Sequence, residues 1–95
     1  MKKHTTYSYI LAPDGTFTVL ATLPAHSEYP EITRPVGAYL TEKGAEKYCA
    51  LHNAHAEARA NGVRLPAPRT NMPIEYRFRV PEWWEELHPN WRKGE

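Results

Sequence analysis

Three groups of residues in this chain carry side chains with chemistry to offer. The first is Cys49-x-x-His52-x-x-His55. Residues three apart are neighbours on a helix surface, so Cys49/His52 or His52/His55 could chelate a metal as a pair. Two successive steps of three drift around the helix, and all three side chains reach one ion poorly. His4, His26 and His88 are scattered, so no second cluster completes the four ligands of a structural zinc site. Cys49 with His52 is also the only local nucleophile and base. A reactive cysteine wants an electropositive, accessible place such as a helix N-terminus, and Cys49 falls in mid-helix. The five glycines are dispersed and form no phosphate loop. The expectation is a protein that is not an enzyme and holds no cofactor, with Cys49, His52 and His55 as the candidates if a metal is bound.

The second group is basic. Arg64, Arg69, Arg77 and Arg79 cluster in sequence, and Tyr76 and Phe78 alternate with the last two. Arginines beside aromatic rings are what a nucleic-acid surface uses for phosphates and bases. The alternation opposes that use. If Arg77 and Arg79 face water, Tyr76 and Phe78 face the core and cannot stack. Arginines on a strand also guard an edge against self-pairing. Nucleic-acid binding through Arg77 and Arg79 is the alternative reading.

The third group favours protein binding. Trp83, Trp84 and Trp91 lie within nine residues, with Glu82 just before them and Glu85 and Glu86 between them. Trp and Arg dominate interface hot spots because they offer large contact area with a polar handle. One of the adjacent tryptophans should cap the core. The expected contact surface is Trp83, Trp84 and Trp91 with Arg77, Arg79 and Glu85. Its mixed charge suits a protein partner or a second copy of the chain.

The elements that must position these groups follow from pattern. Thr41 can cap a helix running to about Asn61-Gly62, with Glu42 in its first turn. At 100° per residue, Ala45, Tyr48, Cys49, Leu51, His52, His55, Ala56 and Arg59 share the face to be buried. Lys43, Glu46, Lys47, Asn53, Glu57 and Asn61 share the solvated one. Thr5 to Leu23 reads as a hairpin turning at Ala12-Pro13-Asp14-Gly15, which pairs Leu11 with Phe17, Tyr9 with Val19 and Tyr7 with Ala21. Those six form the core face. The other face, mostly hydroxyl with Ile10 and Leu20, is expected to be wet. Pro24 to Leu40 reads as a long connection with a short strand at Val36–Leu40. Val63 to Pro73 is another. Ile74 to Val80 alternates strictly and reads as a strand, and Pro81 to Leu87 as a short helix with Trp83, Trp84 and Leu87 on its apolar side.

The order is β-β-α-β-short α: an α+β fold with a three-stranded antiparallel sheet packed by one long helix, and a short C-terminal helix. If the last strand lies beside the first, the spatial order is 2-1-3 with a right-handed connection; the alternative sets it beside the second, in parallel. Residues 1–88 form a single domain, and 89–95 a tail. The formal net charge of +1 does not point to polyanion binding by the chain as a whole. A single cysteine excludes an internal disulfide and suits a reducing compartment. No stretch is long enough to cross a membrane and no leader is evident, so the expected location is cytoplasmic.

No family resemblance spans the whole chain. The Pro13-Asp14-Gly15 hairpin and the helix opening Thr41-Glu42-Lys43-Gly44-Ala45-Glu46-Lys47-Tyr48-Cys49 resemble small accessory proteins of phages and mobile elements. Some of these, including anti-CRISPR and other anti-defence inhibitors, occlude a host enzyme. The resemblance covers about half the chain and transfers no functional residue. It implies a stoichiometric inhibitor of a host enzyme or defence complex.

Overall fold

Turn chemistry sets the first register. Gly15 takes a φ of +88°, which favours glycine. The Asp14 carboxylate accepts hydrogen bonds from the Thr16 hydroxyl at 2.6 Å and the Thr16 N–H at 2.9 Å. These bonds, the hydroxyl's first, hold the Asp14 carboxyl below its usual pKa. The result is a hairpin of β1 (Thr6–Leu11) and β2 (Phe17–Leu23) with Leu11 opposite Phe17, Tyr9 opposite Val19 and Tyr7 opposite Ala21. That is the expected register. The structure, a computed structural model, describes residues 4–25, 28, 30–77 and 79–89.

The sheet departs from expectation after β2. Much of the expected connection is strand β3 (Ile32–Tyr39), antiparallel to β2. Pro35 removes a backbone donor from this stretch. Pro35 is accommodated because the ladder shifts register at Val19/Leu20, and Val36 is the extra residue. The expected strand 74–80 shrinks to β4 (Ile74–Glu75), paired with Gly37 and Ala38. It ends early because Val80 passes to the other side of the sheet, where it is buried with Leu20. The spatial order is β1-β2-β3-β4, all antiparallel, not 2-1-3. Gly37 lets the incoming loop approach: a Cβ there would collide with the Met72 sulfur and lie 2.6 Å from the Ile74 carbonyl oxygen.

Helix α1 (Glu42–Ala60) is closed at both ends. Gly44 N–H donates to the Thr41 hydroxyl at 3.3 Å. Gly62 turns the exit with φ +81°, so that its N–H reaches Arg59 O at 3.0 Å and Val63 N–H reaches Ala58 O at 2.8 Å. Ala45 and Cys49 pack on Val19, ringed by Tyr7, Tyr9, Phe17, Tyr39 and Tyr48. The expected wet face is also covered. Thr18 and Leu20 are buried there, Leu20 against Val80 and Trp84. Trp84 is carried by α2 (Glu82–Leu87). A sheet flanked on both sides therefore replaces the expected two layers. Among the described residues, no helix is long and apolar enough to cross a membrane.

Candidate functional site

The helix triad is separated by its own burial. Cys49 faces the sheet, and burial pushes its thiol up to about 11, away from thiolate chemistry. His52 stacks on Tyr48 with ring centroids 3.9 Å apart and planes 17° apart. Its Nε2 lies 3.3 Å from the Thr70 hydroxyl. Burial pulls the His52 pKa down, and the charge of His55 adds to this. His55 Nε2–H donates to the Leu65 carbonyl at 3.2 Å. The two imidazoles thus tie the loop after α1 to the helix. Among the described residues, no three His, Cys, Asp or Glu side chains converge on a point where an ion could sit.

Tyr48 is the centre of this region. It meets Tyr7 and Tyr39, each at 6.0 Å between centroids, and burial, then Tyr7, push its phenol up to about 12. Beside it, His4, Tyr7, His52, His55 and Arg59 line an open cleft of about 410 Å³ that has no carboxylate in its wall.

Periodicity places Asn53 on the solvated face. It is half-buried, and its amide clamps the outer edge of β1. Oδ1 accepts from Tyr7 N–H at 2.6 Å and Nδ2 donates to Tyr7 C=O at 2.9 Å. Helical spacing alone cannot reveal this role, because it depends on where α1 crosses the sheet.

The expected partner surface is divided by the fold. Trp84 is 3% exposed and belongs to the core, so it offers no contact area. Trp83 is half-buried, meets Trp84 edge to face at 6.0 Å, and leans on the same cluster. The indole nitrogens of both are buried without a hydrogen-bond partner among the described residues. Leu87, expected on the apolar side of α2, is 63% exposed. Arg77, Arg79 and Glu85 are exposed, with Arg77 Nε 2.9 Å from a Glu75 carboxylate oxygen. Trp91 and Phe78 lie outside the described residues. Tyr76 was expected on the helix side of the sheet. It lies instead near Thr18 on the α2 side, where burial and then the charge of Asp14 push its phenol pKa up, and Thr18 opposes them.

The chain matches no known family, no curated protein and no solved structure.

Proposed function

We propose that this chain is a small non-enzymatic protein-interaction module that acts by occupying the surface of a larger partner. The contact surface is the outer side of α2 with the segment before it: Trp83 and Leu87 as apolar anchors, and Arg77, Arg79 and Glu85 as charged flanks. The observation that carries this reading is the division of labour within α2. Trp84 fastens the helix to Leu20 and Val80, while Leu87 stays 63% exposed on the same short element. A rigid element that presents apolar area beside arginines is the usual make-up of an interface centre. Complementarity calls for a partner with an apolar recess bordered by carboxylates on the arginine side. The buried thiol of Cys49 and the engaged rings of His52 and His55 support a non-catalytic role.

The resemblance to phage accessory inhibitors extends the proposal to stoichiometric inhibition of a host enzyme or defence complex. A cytoplasmic site of action belongs to the same proposal and rests on the single free cysteine.

The test is affinity capture of a tagged chain from host lysate, with and without nuclease. A partner retained after nuclease, and lost with Trp83→Ala combined with Leu87→Ser while the circular-dichroism spectrum is unchanged, is the expected result. Capture abolished by nuclease, falling steeply with salt and dependent on Arg77 and Arg79, would replace this reading with nucleic-acid binding.

A further inference from the structure

The exposed edge of β1 has an unusual property: it is complementary to itself. In an antiparallel pair, successive residues point their N–H and C=O groups alternately toward and away from the partner strand. The Asn53 clamp fixes the phase. Both backbone groups of Tyr7 are held by Asn53, so they point away from β2. At the other end, Ala12 N–H donates to Thr16 O at 2.7 Å, so Ala12 points inward. Tyr9 and Leu11 therefore point outward as Tyr7 does, and among the described residues their outward groups have no partner.

The usual guards of an edge are missing from this strand. Thr6–Leu11 has no charged residue, no proline and no bulge. Ile10 and Leu11 stand 38% and 67% exposed at the open end.

We infer that this edge pairs with the same edge of a second copy, antiparallel, about a two-fold axis through Ile10. Tyr9 then faces the second copy's Leu11, and Leu11 the second copy's Tyr9. Each such pair exchanges two hydrogen bonds, so all the free groups of Tyr9 and Leu11 are used. Ile10 meets its own counterpart at the axis, in the close non-hydrogen-bonded spacing where side chains touch. The register also ends cleanly. One step further, Tyr7 would face Pro13, but Tyr7 is already satisfied by Asn53 and Pro13 has no N–H to lose. Registers centred on Tyr9 or on Leu11 fail this test. The first needs Tyr7, which is occupied, and the second sets Tyr9 against Pro13. The absence of charge on β1 means that no like charges meet at the axis. This pairing is independent of the α2 surface and leaves it open.

The experiment is sedimentation across a concentration series, joined to amide hydrogen exchange. The expected result is a mass rising from 11.0 kDa toward twice that value. Exchange at Tyr9 and Leu11 should slow as concentration rises, while Tyr7 is protected at every concentration. Ile10→Lys, which sets two ammonium groups opposite each other, should weaken association about ten-fold or more. Ile10→Thr should retain it. A mass that stays at 11.0 kDa up to about 1 mM overturns the proposal. So does a dimer in which exchange at Tyr9 and Leu11 ignores concentration. If Ile10→Lys fails to fold, the exchange pattern of the unaltered chain decides alone.

Discussion

His52 is the titrating residue whose surroundings most directly couple to stability. Its ring is wedged between Tyr48, Tyr7 and Thr70. Burial lowers its folded pKa below the ordinary 6.5. The unfolded chain then takes up a proton that the folded ring resists, so stability falls as pH drops through 6.5 toward the lower folded value. Above that window the group contributes no pH dependence. Denaturant midpoints at about pH 7.5 and pH 5 should differ more for the unaltered chain than for His52→Gln, a comparison that cancels the carboxylates. Equal slopes would mean that His52 is solvated in the folded state. The polar rings on the buried face of α1 were legible as an oddity of the sequence, and their bonding to the loop after the helix follows from geometry. Asn53 was not legible. An asparagine on a helix surface looks solvated until the strand edge beneath it is known.

The short helix α2 and the hairpin show how unevenly elements can be read. The hairpin register follows from turn residues and alternation within one stretch, and it was correct residue by residue. Strand β3 hides its pattern because Pro35 and the bulge break the alternation that marks a strand. The strand at 74–80 carried a clean pattern, yet tertiary packing overrode it: Val80 is buried with Leu20 and Trp84 instead of extending the ladder. Within α2 the two tryptophans should separate on substitution. Trp84→Ala empties a buried site and should cost about 3–5 kcal/mol, enough to threaten a domain of this size. Trp83→Ala should cost roughly 1 kcal/mol, as half-buried positions do. Urea titration followed by far-ultraviolet circular dichroism measures both. Equal costs would show that α2 sits differently on the sheet.

The whole molecule protects one chemical reporter. Cys49 lies between α1 and Val19, and with a thiol near 11 only about one in a thousand copies is thiolate at pH 8. Alkylation by iodoacetamide in native buffer should therefore be slow and should accelerate to the rate of a free thiol only across the unfolding transition. Fast labelling in native buffer would reveal that α1 lifts from the sheet without global unfolding. The overall class, antiparallel strands under one long helix with a second short helix, was legible because the strongest patterns in the chain encode it. The covering of the second sheet face was not, since residues 80–84 act on strands encoded sixty positions earlier. That separation has a consequence in time. Strands β1 to β3 are complete by Tyr39, but the segment that shields their second face ends at Leu87. At about 5–20 residues per second, a ribosome needs roughly 2–10 s to supply it. For that interval Leu20 lacks the segment that buries it in the finished fold. A chain cut short before Val80 should therefore leave Leu20 bare and associate through it.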